Sequence, residues 1–300
     1  MKSIDTVTEL RAAVAEWKAA GERVALVPTM GNLHEGHLQL VEKARAEADR
    51  VIVSIFVNPM QFSNASGGND FERYPRTIVE DSKKLSDLDC HPDVLFTPSV
   101  EEVYPNGFEK ETRVEVPEVS DMLCGKFRPG HFVGVATVVA KLFNMTQPDV
   151  AVFGEKDFQQ LLVIRRFVAD LCFPVEIIGV PTIREKSGLA MSSRNQYLST
   201  EERARAAVLY QTLQQAQQQI ATGEKGFSAI QTQAALKLSE AGFRPEYFEV
   251  RRAQDLQPAK ETDQELVILV AAWLGDARLI DNLSFNLNFN LGRTSALLLG

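Results

Sequence analysis

The sequence predicts an α/β protein, a doubly wound, Rossmann-like parallel sheet followed by a smaller C-terminal α+β domain. Three observations predict it. Short Val- and Ile-rich runs alternate with longer stretches of helical periodicity up to about Val180. A polar segment, REKSGLAMSSRNQYLSTEER, then interrupts that texture, and two helical patterns with three consecutive strand-like runs follow it. The resulting boundaries are 1–182 for the first domain, 183–284 for the second and 285–300 for a tail.

In chain order, strands are expected over Arg23 to Val27, Val51 to Val57, Val94 to Phe96, Val150 to Phe153 and Glu176 to Val180. Helices are expected between them, over Leu38 to Ala48, Val79 to Leu88, Val133 to Asn144 and Phe158 to Leu171, where apolar residues recur three and four apart. Ser199 followed by Glu202 forms a capping box that starts a helix near Thr200. A further helix is expected over Ser228 to Ala241, then strands at YFEVRRA, LVILVAAWL and ARLIDNL. In the tail Phe285, Leu287, Phe289 and Leu291 alternate with Asn286, Asn288 and Asn290, the two-residue period of an edge strand.

Bulk properties narrow the function. A net charge of −8, from 40 acidic and 32 basic residues, argues against a nucleic-acid partner held through phosphate contacts. Three cysteines, Cys90, Cys124 and Cys172, are widely spaced and contain no CxxC, so reduced thiols are expected. The first residues carry acidic side chains in place of an apolar signal core, and LVILVAAWLG is too short for a membrane helix. A cytoplasmic protein without a membrane partner is expected, which makes the sequon at Asn64 a chance match.

Residues 28–37, PTMGNLHEGH, place two of the four histidines, His34 and His37, in a turn between a parallel strand and a helix expected to begin near His37. The spacing does not fit a zincin, whose histidines stand four apart on a helix. It does fit anion binding: unpaired amides and the helix dipole favour phosphate there, and Gly31 and Gly36 admit close backbone approach. Lys156 and Asp157, in GEKD, occupy another strand's carboxyl end, where ligands of doubly wound sheets bind. AMSSR adds Ser192, Ser193 and Arg194 in the polar segment, the composition of a phosphate-closing loop.

Together with FVNPMQF, YPRT, RPGHF, FGEKDFQQL, GLAMSSRNQYL and VAAWLGDARLIDN, in that order, the turn resembles the pantothenate synthetase (pantoate:β-alanine ligase) family of the H-x-G-H nucleotidyltransferase superfamily. The resemblance extends to about Asn282 and implies ATP-dependent condensation of (R)-pantoate with β-alanine through pantoyl adenylate, with AMP and pyrophosphate released. It implies ATP as substrate, Mg2+ beside it and a homodimer. ATP would be bound by Met30, Gly31, Asn32, Leu33, His34, Glu35, Gly36 and His37, by Gly154, Glu155, Lys156 and Asp157, and by Ile183, Met191, Ser192, Ser193 and Arg194. His37, His34, Lys156, Ser192 and Arg194 would be catalytic, with His37 the proton donor. Gln61 and Gln160 would bind pantoate, Gln61 also β-alanine, and Asn58 would help place magnesium or pantoate. The loop SNASGGND, 63–70, is longer than the family's usual connection and is expected to be mobile. A nucleotidyltransferase that stops at pyrophosphate release, a tRNA synthetase or a nucleotide sensor are the alternatives.

Overall fold

The computed structural model describes residues 1–62, 70–224 and 226–289. The chain separates into two compact units, Met1–Thr182 and Ile183–Gly300. In the first, β1 (Lys2–Ile4), β2 (Val24–Thr29), β3 (Arg50–Ile55), β4 (Val94–Phe96), β5 (Val150–Gly154) and β6 (Glu176–Val180) form one parallel sheet in the order β1-β4-β3-β2-β5-β6. Val24 to Val27 have no exposed surface, as expected of a strand covered on both faces. The chain steps outward from β2 through β3 to β4, then returns to pair β5 against the other edge of β2, Ala25 opposite Val150. The direction of winding therefore reverses between β2 and β5, and a crevice opens at such a reversal beyond the strands' carboxyl ends.

Helices α1 (Val7–Ala19), α2 (Glu35–Glu47), α4 (Ile78–Ser86), α7 (His131–Thr146) and α8 (Phe158–Asp170) flank the sheet, with single turns α3 (Asp70–Arg73), α5 (Val100–Val103) and α6 (Cys124–Phe127) in the connections. Leu40, Val41 and Ala44 of α2 pack with Ala25, Val27, Val51 and Val53. Thirteen positions of α7 are buried, so it is apolar all round in place of carrying one stripe.

The expected strands and helices are present with ends shifted by a few residues, and β1 and α1 are additional, as are the single turns α3, α5 and α6. β1 is three residues long and shows itself only through pairing with β4, Lys2 against Val94 to Ile4 against Phe96. α1 carries Thr6 as its N-cap, accepting from Glu9 N–H, but buries only Leu10 and Val14, a weak periodic signal. α2 also begins earlier than expected. His34 is its N-cap and His37 lies in its first turn, so the histidines bracket the helix end.

In the second unit β7 (Arg244–Arg252), β8 (Glu265–Leu274) and β9 (Ala277–Asn286) form an antiparallel sheet with β8 central. α9 (Thr200–Ala206), α10 (Val208–Ala221) and α11 (Phe227–Glu240) complete it, and Leu209, Leu213 and Leu238 join Leu266, Ile268 and Val270 in its core. The Ser199–Glu202 capping box is formed at the start of α9. The alternating tail departs from expectation: β9 ends at Asn286, and Leu287–Phe289 turn as a 3-10 helix in which Leu287 N–H donates to the Gln264 carbonyl at 3.0 Å. Leu291 and residues 63–69 lie outside the described residues.

Candidate active site

The turn after β2 is built by its neighbours. Gly31 has φ 80°, and a Cβ there would stand 3.0 Å from Ile55 Cγ2 and 3.1 Å from Asp81 Oδ2, so glycine is required twice over. Asp81, on α4 with no exposed surface, accepts from Asn32 N–H at 2.7 Å, Leu33 N–H at 2.8 Å and the Thr77 hydroxyl at 3.0 Å. Lys84, one turn on, donates to the Leu33 carbonyl at 2.7 Å. Three of the turn's hydrogen bonds thus come from one helix.

This clamp changes which groups can meet a ligand. The amides of Asn32 and Leu33, residues expected among those that bind ATP, are occupied by Asp81, and the Leu33 side chain is 2% exposed within the core. Glu35 and Gly36, the first residues of α2, are different. Their N–H groups make no hydrogen bond among the described residues, and they stand at the positive end of the helix dipole. His34 N–H donates to His37 Nδ1 at 3.3 Å, which leaves the His37 proton on Nε2. The two rings lie 4.1 Å apart, and His34 Nδ1 is buried without a partner among the described residues.

Electrostatics decides the charge of the pair. Burial, then the charges of Lys156 and Lys84, lower the pKa of His34 to about 4, with Asp157 opposing. Burial, then His34, Lys156 and Lys84, lower that of His37 to about 3. Both imidazoles are therefore neutral at pH 7 and act as single N–H donors. Burial removes their positive charge, and the field of the two lysines adds to the effect. The same field shows that Lys156, in the 3-10 turn Glu155–Asp157 after β5, acts on the histidine turn after β2. Both turns sit at the winding reversal.

Gln61 ends the 3-10 turn Pro59–Gln61 and is 8% exposed; its Nε2 lies 3.3 Å from Met30 Sδ. Asn58 at 1% exposure spends all four of its hydrogen-bonding capacities: Nδ2 on Gln61 Oε1 and the Gly134 carbonyl, Oδ1 on Met60 N–H and the Tyr104 hydroxyl. Neither lone pair of Oδ1 remains for a direct bond to magnesium. Gly134 lets α7 touch this turn, since a Cβ there would lie 2.6 Å from Met60 C and O. His131, at the start of α7, reaches the Gln61 carbonyl through Nδ1 at 3.0 Å.

The adjacent glutamines of α8 differ in kind. Gln159 is 4% exposed and holds the preceding loop, accepting from Cys124 N–H and donating to the carbonyls of Val119 and Met122. Gln160 is half-buried and makes no hydrogen bond among the described residues.

Ile183, Met191, Ser192, Ser193 and Arg194 belong to the second unit. Met191 N–H donates to the Ile183 carbonyl at 2.9 Å, and Arg184 pairs with Ala190 across a short bridge, so Ile183 and Met191 are neighbours. Asp281 fixes this hairpin by binding Arg184 at 2.6 and 3.0 Å, with the guanidinium 3.5 Å over the Tyr210 ring. The Ser192 hydroxyl caps the next turn, accepting from Arg194 N–H at 3.3 Å. The Arg194 guanidinium makes no hydrogen bond or ion pair among the described residues, whereas Asn195 is anchored to Glu185 and the Ala190 carbonyl.

A family model for pantoate-beta-alanine ligase matches residues 2–284. The chain belongs to that family. A pantothenate synthetase of Pseudomonas entomophila is 55% identical over 287 residues, 96% of this chain and 98% of that relative. One from Pseudomonas aeruginosa is 54% identical over 96% of this chain and its own whole length. The crystal structure of the pantothenate synthetase of Thermus thermophilus superposes with a TM-score of 0.86 at 47% identity, covering 94% of this chain and 99% of that one. That of the Francisella tularensis ligase, complexed with beta-gamma ATP and beta-alanine, gives 0.79 at 35% identity over 96% and 98%. The fold expected of the family is therefore the fold observed, and the chain is a ligase.

Sequence reasoning missed Asp81, Lys84, Tyr104 and His131. IVEDSKKL reads as an exposed charged face, and only the position of α4 against the turn makes Asp81 internal. RPGHF was singled out as a motif, but no local pattern ties His131 to Gln61, 70 residues away.

Proposed function

We propose that this chain condenses pantoate with β-alanine at the expense of ATP, and that the turns after β2 and β5 form its adenylylation centre. The observation that carries the reading is the field at the winding reversal: Lys156 from one turn acting on two neutral imidazoles of the other, beside two unbonded amides. In the first step a pantoate carboxylate oxygen attacks the α-phosphorus, and the bond to the departing pyrophosphate breaks. Negative charge grows on phosphate oxygens there, where the Glu35 and Gly36 amides, the His37 Nε2–H and the Lys156 ammonium supply donors and charge that need no rearrangement. In the second step the β-alanine amine attacks the acyl carbon of pantoyl adenylate and AMP leaves. An amine proton is lost as the amide forms.

Gln160 and Gln61 are read as the amides that hold pantoate, with Gln61 also serving β-alanine. Ile183 is read as an adenine contact, and Met191, Ser192, Ser193 and Arg194 as the phosphate-closing loop, supported by an Arg194 guanidinium that has no partner among the described residues. Among the described residues no group of three or more His, Cys, Asp or Glu side chains could hold a metal. That donor set suits a magnesium carried in on ATP phosphates, since magnesium keeps most of its ligands as water and phosphate. Family membership supports a homodimer in the cytoplasm. No helix among the described residues is long and apolar enough to cross a membrane.

A coupled assay of AMP release, with pantoate and β-alanine omitted in turn, tests the reaction. Pyrophosphate release requiring pantoate and AMP release requiring both acids are expected. His37→Ala should slow single-turnover adenylylation about a hundredfold, the usual effect of deleting one such donor. An unchanged rate rejects its role.

A further inference from the structure

The buried relay around Asn58 has a polarity that can be read without ambiguity. Asn58 Oδ1 accepts from the Met60 backbone N–H at 3.2 Å, and Nδ2 donates to the Gly134 backbone carbonyl at 3.1 Å. A backbone N–H only donates and a carbonyl only accepts, so these contacts fix which end of the Asn58 amide is oxygen. Its remaining Nδ2 hydrogen points to Gln61 Oε1 at 3.1 Å. The Gln61 carboxamide therefore turns its oxygen to Asn58 and its NH2 away, toward Met30 of the histidine turn. One lone pair of its oxygen is engaged by Asn58, and its NH2 faces the weakly accepting Met30 sulfur at 3.3 Å.

Tyr104 completes the relay by donating to Asn58 Oδ1 at 2.7 Å, its shortest contact. The ring is 2% exposed, with its centroid 6.0 Å from that of Phe56, and the Lys141 ammonium stands 5.0 Å from its centre. Burial, with the nearby Glu111 carboxylate, raises the phenol pKa and keeps the hydroxyl a donor. Without it, Asn58 Oδ1 would retain only the weaker bond from Met60, and turning the amide over would cost one hydrogen bond less.

We propose that Tyr104 is a positioning residue for acid recognition: through Asn58 it holds the Gln61 amide with its oxygen toward Asn58 and its NH2 toward the histidine turn, so the site presents a donor to a hydrogen-bond acceptor on the acid substrate. The inference rests on the reading of Gln61 as a pantoate ligand and assigns that amide a direction. It gives that amide one orientation in place of the two it could otherwise adopt.

Tyr104→Phe in the full chain keeps the ring and deletes the donor. The KM for pantoate should rise about tenfold, the worth of one hydrogen bond, while kcat and the KM for ATP stay within twofold. A purely structural tyrosine would instead lower the melting temperature and leave that KM alone, so a rise below threefold overturns the proposal. Gln61→Glu and Gln61→Met, compared at pH 8, give a second test that does not depend on Tyr104→Phe folding. Glutamate puts a charged acceptor where the NH2 stood and should be at least tenfold poorer than methionine in kcat/KM for pantoate. Equal or better activity of the glutamate variant overturns the assigned orientation. A wild-type chain that forms no AMP from pantoate and β-alanine would bring down the functional reading, and this inference with it. Active wild type with unaltered variants would bring down the inference alone.

Discussion

Asp81→Asn replaces a carboxylate by an amide of the same shape, at a residue with no exposed surface. Oδ2 serves Asn32 N–H and Thr77, and Oδ1 serves Leu33 N–H, so whichever way the amide turns, its NH2 faces a backbone N–H. One hydrogen bond to a charged acceptor is lost outright, worth about 1.5 to 3 kcal/mol, and the surviving ones weaken to neutral strength. If the NH2 faces Leu33, that buried N–H is also left without a partner. The total comes to about 3 to 4 kcal/mol, a large share of the stability of an ordinary domain. For a unit of this size the melting temperature should fall by about 10 °C. The chain has two tryptophans, Trp17 in α1 and Trp273 in β8, so a Trp273→Phe background makes indole fluorescence report on the first unit alone. A shift below 2 °C in that background would refute the clamp. Adenylylation should fall as well, because the histidine turn loses its anchor.

Acid should destabilise the fold through the histidines. Their folded pKa values, about 4 and about 3, lie below the ordinary 6.5, so the unfolded chain binds more protons and stability falls as pH drops from 6.5 toward 4. Between pH 7 and 5 the loss is at most about 2 kcal/mol per imidazole. Urea midpoints across that range should therefore decline, with a smaller slope in His37→Asn; equal slopes would contradict the neutral assignment. Gly134→Ala forces the Pro59–Gln61 backbone to move, at about 1 to 3 kcal/mol, and should raise the pantoate KM. A wild-type KM with wild-type stability would show that α7 can shift at no cost. Arg184→Lys gives up the two-pronged bond to Asp281 and the stacking on Tyr210, about 2 kcal/mol, read as a lower urea midpoint by Trp273 fluorescence. An unchanged midpoint would mean a point charge suffices there.

The legible features were those with local causes. Apolar runs announced β2, β3 and β5; Ser199 and Glu202 announced α9 through a cap that closes within four residues. The histidine turn, GEKD and AMSSR were found because glycine, histidine and lysine at strand ends are unusual in composition and spacing. Gln159 and Gln160 mark the limit of such reading. They are chemically identical neighbours, yet a helix sends adjacent side chains about 100° apart, so one anchors a loop and the other has no hydrogen bond among the described residues.

What the sequence determined alone was the order of elements, the family and the segments that carry the chemistry, since each is written in short-range pattern. The tertiary structure decided which polar groups are spent internally and what charge the others carry. Asp81 meets its amides across 48 and 49 residues, and Asn58 meets Gly134 across 76. His34 and His37 lose their charge to burial and to the ammonium of Lys156, over a hundred positions away. Burial and Coulomb's law depend on distance in space, and no periodicity along a chain encodes that distance.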